Sequence, residues 1–535
     1  FASYYGDHMV LQKKPSGAVV WGHGELGAVV TVILSGAGGL IIMEKTAQVK
    51  GPSGTWTTVL DPVDQGGPYA LTAEQGLENV TLRDIYFGDV WLCSGQSNMA
   101  MTVLQVANAS QELAMASRYT YVRIFAAAPA RSDVELEDLE RIDLPWSIPT
   151  AVENLGHGNF TYFSAVCWLL GRSLYEALGS PIGLVEVAWG GTPIEAWSSR
   201  RVLQACGLPE DTGRHIWVGK EGEEGPQSSL WHGACFNLKP AFTSPHQHLS
   251  GPQTPSVLWN AMIHPLLNMT LRGVAWYQGE PPFLSPGVEQ PPLSHQALIS
   301  PSFWGTGEDN TLLHTDQYNC TFPALIADWR RAFHAGSAGQ TEQLLPFGFV
   351  QLSTYRRRSA DDSFARLRWH QTADLGVVPN ARMPSTFMAV AMDLGDEHSP
   401  YGSIHPRDKQ NVAHRLLLGA RAVAYGDKDL VFQGPYPTRA ILEVTRGLLN
   451  VTYSQELICR QRDAQAFEVC CSSQASPCQW LPAPVVAVGS RTVTLALSGC
   501  RTLVLGLRYA WAEWPCEYQA CPLYNPQGLP APPFL

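Results

Sequence analysis

A serine placed where a strand turns into a helix has the setting of a nucleophile, and Val90-Trp91-Leu92-Cys93-Ser94-Gly95-Gln96-Ser97-Asn98-Met99 has that form. Backbone N–H groups at such a junction can hold a developing oxyanion beside the hydroxyl. An isolated Gly-x-Ser more commonly just caps a helix, but the ten-residue context favours Ser97 as nucleophile. A serine hydroxyl attacks an ester only when a base takes its proton, and histidine is the usual base near neutral pH. Of the 15 histidines, His405 in Gly402-Ser403-Ile404-His405-Pro406-Arg407-Asp408-Lys409 is the favoured candidate. It follows a strand-like run and precedes a long helical pattern, and Pro406 suits that helix's first turn. His398 competes from the same loop, while His370 sits in an amphipathic helical pattern and reads as structural. The imidazole then needs a carboxylate to set its tautomer, and Asp393 and Asp396 end the strand that leads to His405. Asp408 points the wrong way along the following helix. Two further strand-end loops could stabilise the oxyanion: Trp189-Gly190-Gly191-Thr192-Pro193, where glycine lets a backbone N–H approach, and Trp276-Tyr277-Gln278-Gly279-Glu280, with the Gln278 side-chain amide.

These residues must be brought together by their elements. From about 87 to 427, strand-like runs at 89–93, 182–188, 271–277, 346–353 and 386–393 alternate with helical patterns at 162–178, 256–266, 312–334, 363–374 and 407–425. That alternation predicts an α/β domain with a doubly wound parallel sheet, whose ligand sits beyond the carboxyl ends of the strands. Residues 1–86 read as a small β-sandwich-like module, from runs such as Ala18-Val19-Val20-Trp21 and Thr55-Trp56-Thr57-Thr58-Val59-Leu60 between Gly/Pro-rich turns. Residues 428–535 read as a second, cysteine-rich β module. Two segments, about 210–254 and 281–306, are rich in Gly, Pro, Ser and polar residues and lack either period, so they are expected to be irregular and poorly ordered.

The 535 residues, 45% hydrophobic, are enough for two or three domains. A net charge of −11 argues against nucleic acid or an anionic membrane as partner. No apolar run has the length of a bilayer span, so no membrane insertion is expected. Twelve cysteines, together with Asn-x-Ser/Thr sequons at Asn79, Asn108, Asn159, Asn268, Asn319 and Asn450, favour the secretory pathway. Seven of those cysteines (Cys459, Cys470, Cys471, Cys478, Cys500, Cys516 and Cys521) crowd the C-terminal fifth and read as a disulfide framework of open connectivity. Zinc fits less well, because spaced Cys-x-x-Cys pairs are absent.

Together the blocks Phe87–Met99, Trp189–Trp197, Trp276–Glu280 and Ser403–Lys409 resemble the sialate O-acetylesterase family within the SGNH-type serine hydrolases, and the resemblance covers nearly the whole chain. It implies an SGNH-hydrolase-like core and hydrolysis of O-acetyl esters from sialic acids, free or on glycoconjugates, without metal or organic cofactor. It also implies a lysosomal or secreted location. Carried over, Ser97 is nucleophile, His405 general base, and Gly191 and Gln278 oxyanion donors. SGNH enzymes usually carry Asp three residues before the His. Gly402 stands there in this chain, so Asp393 is favoured as the acid, with Asp396 second. In the family the Trp-Tyr-Gln-Gly-Glu block continues directly into Ser-Asn; here about 26 other residues follow Glu280 before a second Gly307-Glu308-Asp309-Asn310. Two alternatives stand beside the sialate esterase: a deacetylase for other acetylated carbohydrates, and a secreted glycan-binding glycoprotein whose catalytic site is disrupted by the insertion.

Overall fold

The computed structural model describes residues 1–209, 251–279, 310–311, 314–461, 466–472, 478–497, 500 and 503–535. The irregular segment expected at 281–306, and that at 210–254 apart from its last four residues, lie outside the described residues.

The centre of the fold is a mixed sheet. In spatial order its strands are Thr386–Val390, Phe347–Gln351, Gly273–Tyr277, Glu78–Gly95, Ile182–Ala188, Val122–Ala127 and Ile142–Ser147. The first six run parallel and the last is antiparallel. Ile-Gly-Leu-Val-Glu-Val-Ala at 182–188 is buried at all seven positions, as a strand covered on both faces requires. In chain order the parallel set starts in the middle, with Glu78–Gly95, and later strands add on both sides of it. The strand order therefore reverses at the carboxyl end of Glu78–Gly95, where an open α/β sheet leaves its ligand crevice. All five sequence-expected strand runs lie in this sheet. The two strands at 122–127 and 142–147 were not anticipated.

The helices Ala165–Leu178 and Lys409–Ala424 pack on each other beside the sheet. Ser164 caps the first through Cys167 N–H, and Gly179 ends it with a left-handed φ of 62°. Asp408 caps the second, accepting from Asn411 N–H at 3.0 Å. Pro406 thus lies two residues before the N-cap, not in the first turn. The expected helix at 256–266 is built instead of a π turn and a 3-10 turn, Trp259–Ile263 and His264–Leu266.

Towards the N-terminus, strands Val29–Ser35, Ile41–Gln48 and Gly66–Gln75 form an antiparallel extension that joins the central sheet through Glu78–Gly95. That strand is 18 residues long, so the expected boundary at 86/87 falls inside one continuous element. Beyond residue 436 the chain is β again, with a four-stranded and a three-stranded sheet. Among the described residues five disulfides form: Cys93–Cys167, Cys206–Cys320, Cys470–Cys478, Cys471–Cys500 and Cys516–Cys521. Six of the seven C-terminal cysteines are therefore paired with one another, and Cys459 is a thiol. Cys93–Cys167 ties the strand that carries the nucleophile to the helix beside it. Among the described residues no helix is long and apolar enough to cross a membrane.

Candidate active site

Ser97 is the first residue of a single helical turn, Ser97–Ala100, immediately beyond the central strand. The approach to it demands glycine at 95. That residue has φ +141°, and a Cβ there would stand 2.1 Å from the Tyr277 carbonyl oxygen of the neighbouring strand. Gln96 N–H then donates to the same Tyr277 carbonyl at 3.0 Å, and Gln96 C=O accepts from Met99 N–H at 2.8 Å. The nucleophile's backbone is thus pinned on both sides.

His405 arrives from the loop between Thr386–Val390 and the helix Lys409–Ala424. Its Nε2 lies 2.8 Å from Ser97 Oγ, and its Nδ1 lies 2.7 Å from the Tyr401 carbonyl oxygen. A carbonyl can only accept, so Nδ1 carries the proton and Nε2 presents its lone pair to the serine hydroxyl. Both side chains are buried, with Ser97 at 5% exposure and His405 at 1%. The Phe160 ring lies 5.0 Å from the imidazole, centroid to centroid. Burial pushes the His405 imidazole down to about 4, against the Tyr401 carbonyl and with the help of the Lys409 ammonium. The base is therefore neutral, as proton abstraction requires, well into the acid range.

The expected carboxylate partner is placed elsewhere. Asp393 is fully buried, and its two oxygens accept from Arg415 at 2.6 and 2.9 Å while Oδ2 also takes the Tyr524 hydroxyl at 3.0 Å. A buried guanidinium left without that carboxylate would be costly, and this demand outweighs any pull from the imidazole. Asp396, the second choice, forms a bidentate pair with Arg407 at 2.6 and 3.0 Å. The role assigned to Asp393 is corrected accordingly: the group on His405 Nδ1 is a backbone carbonyl. Of the other candidates, His370 ends its helix and pairs with Asp374 in the turn beyond it at 2.5 Å, and Asp408 caps the next helix and accepts from the Tyr518 hydroxyl at 2.6 Å.

The two oxyanion candidates both lie at the carboxyl ends of strands flanking Ser97. Gly191 has φ +65°. The Gly190 carbonyl accepts from Gly251 N–H at 2.8 Å, and because the peptide is planar and trans the Gly191 N–H is turned the opposite way. Gln278 serves differently from expectation. Its Nε2 donates to the Thr192 carbonyl at 3.2 Å and to Asn310 Oδ1 at 2.8 Å, and its Oε1 accepts from the Tyr318 hydroxyl at 2.9 Å. Both amide hydrogens are spent inside the protein, so Gln278 braces the Gly190–Thr192 loop and does not present a donor to an oxyanion. Asn310, which also accepts from Ile194 N–H at 2.7 Å and donates to Glu195 at 2.9 Å, completes that brace.

Sequence reasoning missed four contributors: the Tyr401 carbonyl, Phe160, Asn98 and Asn310. Asn98 lay inside the nucleophile block, and Asn310 ended the repeated Gly-Glu after the insertion. The main-chain group at Tyr401 leaves no side-chain signature.

A family profile described as sialate O-acetylesterase C-terminal domain matches residues 438–535. The chain is 52% identical over 541 residues to the sialate O-acetylesterases of Pongo abelii and Homo sapiens, covering 100% of this chain and 92% of each relative. It is 53% identical over 544 residues to that of Rattus norvegicus, with 100% of this chain and 93% of the relative covered. Among solved structures, a carbohydrate acetylesterase from Xanthomonas citri superposes with a TM-score of 0.71 at 26% identity, covering 99% of this chain and 98% of that one. With whole-length identity above half and a reacting serine–histidine contact in place, the chain belongs to the sialate O-acetylesterase family.

Proposed function

We propose that this chain hydrolyses O-acetyl esters of sialic acids, free or on glycoconjugates, through an acetyl-enzyme on Ser97. The observation that carries the reading is the 2.8 Å contact between Ser97 Oγ and His405 Nε2, made across 308 residues of chain. His405 Nε2 takes the hydroxyl proton as Oγ bonds to the acetyl carbonyl carbon, and the carbonyl electron pair moves onto oxygen. The Gly191 N–H and the amide of Ser97 are the donors assigned to that oxyanion. Collapse expels the sugar oxygen, which takes the proton from His405. Water then repeats the attack with the same base, releasing acetate and restoring Ser97. Tyr401 C=O sets the tautomer throughout, so the reacting unit is a serine–histidine dyad oriented by a main-chain carbonyl. The reversal of strand order at Ser97 supports an SGNH-type core, and the five disulfides support an oxidising destination, lysosomal or secreted.

Ser97→Ala is expected to abolish acetate release from O-acetylated sialic acid with the melting temperature unchanged. An undiminished rate in that variant removes Ser97 from the mechanism. The structural similarity to a carbohydrate acetylesterase favours one second reading, a deacetylase for other acetylated sugars. Parallel rates on O-acetylated sialic acid and acetylated xylan separate the two. Stoichiometric labelling of Ser97 by a fluorophosphonate excludes a chain that only binds glycans.

A further inference from the structure

The nucleophile and the base each have a sequence neighbour whose bonds the acyl-transfer steps do not use. Asn98, directly after Ser97, is buried, and its Nδ2 donates to the carbonyl of Ile404, directly before His405, at 2.9 Å. Its Oδ1 accepts from Lys409 Nζ at 2.5 Å. Lys409 opens the helix behind the His405 loop, has 0% exposure, and holds its ammonium 5.1 Å from the centre of the Tyr277 ring. Tyr277 is the residue whose carbonyl fixes Gln96 on the other side of the nucleophile. Burying an ammonium is costly without oriented oxygens or a ring face to compensate, and an apolar side chain of similar length would fill the space with less penalty.

The carboxamide can serve both partners in one orientation only. An ammonium donates and a carbonyl accepts, so Oδ1 must face Lys409 and Nδ2 must face Ile404. A shift of the His405 loop relative to the Ser97 turn breaks one bond or the other. We propose that Asn98 and Lys409 form a positioning pair that fixes the separation of Ser97 and His405, joining the residue after the nucleophile to the residue before the base. The inference rests on the acetyl-enzyme reading above. Lys409 is also the cation that opposes charging of His405, so the pair helps keep the base neutral as well as in place.

The test uses the full chain with three single variants and one double variant. Asn98→Asp keeps size and the contact with Lys409 but turns an oxygen toward the Ile404 carbonyl. Lys409→Met keeps length and removes a buried charge, and its folding is checked by circular dichroism and melting temperature. In each, kcat on O-acetylated sialic acid is expected to fall about 10- to 100-fold with KM within about twofold, the scale of a misplacement near 1 Å. Fluorophosphonate labelling of Ser97 should slow in parallel. In Lys409→Met the acid limb of kcat/KM should also move to higher pH, which a space-filling role would not produce. The double variant should lose no more than the worse single one, because the two residues act as a unit. Ser97→Ala is the third variant. If it is inactive while folded Asn98→Asp and Lys409→Met both turn over at the wild-type rate, the pair is refuted and the dyad stands. If Ser97→Ala keeps its activity, the dyad fails and the pair falls with it.

Discussion

Lowering the pH should inactivate this esterase far later than an exposed histidine would allow. The imidazole of His405 is buried against Phe160, and a buried ammonium stands nearby. These push it from an ordinary value of about 6.5 down to about 4. At pH 5 an unperturbed imidazole is neutral in roughly 3% of molecules, whereas one titrating near 4 is neutral in about 90%, a difference of about 30-fold in competent base. The measurement is kcat/KM for acetate release between pH 3.5 and 8. A neutral aryl acetate run in parallel keeps titration of a sialic acid carboxylate out of the profile. The acid limb should have its midpoint near 4 on both substrates. A midpoint between 6 and 7 on the aryl ester would mean that the imidazole is solvated or carries a carboxylate, and the dyad geometry would be wrong.

Other consequences concern groups around the dyad. Asp393→Asn strands the buried Arg415 and should cost about 3–5 kcal/mol of stability, read as a lowered melting temperature. In the molecules that stay folded, kcat should change by less than tenfold, whereas loss of a true triad acid costs about 10⁴-fold. Glu186, buried with its carboxyl held at 2.6 Å by Ser164 N–H, is raised to about 8 by burial. An acid raised on folding stabilises the native state fully below its unfolded value of 4.5 and progressively loses that contribution as pH climbs through 8. Glu186→Gln should therefore raise the melting temperature at pH 8 relative to wild type and do so much less at pH 5, in thermal scans at the two values. Replacing both Cys93 and Cys167 with Ala opens a loop of 74 residues and should cost about 4 kcal/mol in denaturant unfolding. Of the sequons, Asn79 is exposed, whereas Asn319 lies in a helix, donates to Asp374 at 2.5 Å and precedes the disulfide-bonded Cys320. Asn79→Gln should remove one glycan's mass from protein made in a secretory host, and Asn319→Gln should remove none.

The parts of this molecule governed by period and by local turn chemistry were legible in the sequence. The buried run 182–188, the helices at 165–178 and 409–424, and the Gly95-Gln96-Ser97 junction each declare themselves within a short stretch of chain. The strand Ile142–Ser147 contains Pro145 and lies at the sheet edge, where a missing N–H is tolerated, so composition hid it. The 86/87 boundary marks the change from short β runs between turns to strand–helix alternation, yet one 18-residue strand runs straight across it from one sheet region to the other. The site's residues were found where chemistry needs a particular side chain, as at Ser97 and His405. Choices set by competition between distant partners were not legible. Asp393 had the right type and place to serve His405, and only the buried Arg415, 22 residues on, takes it away. Gln278 likewise is claimed by Thr192, Asn310 and Tyr318.

Exchanging a carboxylate for a main-chain carbonyl behind the histidine changes more than the identity of one partner. Both acceptors fix the same tautomer, because both require a proton on Nδ1. Only the carboxylate brings a charge that favours the imidazolium and lifts its pKa. With the Tyr401 carbonyl in that place, burial and Lys409 outweigh the lift from that hydrogen bond, and the base settles near 4. A base of that strength takes the Ser97 proton less readily than an imidazole near 7, so some driving force in the attack step is given up. The compensation is that the base survives unprotonated where a carboxylate-backed histidine would be charged and idle. The imidazolium formed in the transition state is also left to be balanced by the oxyanion itself, which places more weight on the Gly191 and Ser97 amides. Turn geometry makes the arrangement possible: Gly402, with φ +86°, follows Tyr401, and His405 N–H donates to the Gly402 carbonyl at 2.9 Å. The chain thereby doubles back so that the carbonyl four residues upstream meets Nδ1. Gly402 is thus the residue that lets the backbone take over the orienting role behind the histidine, and the same arrangement should carry the pH range of the reaction downward.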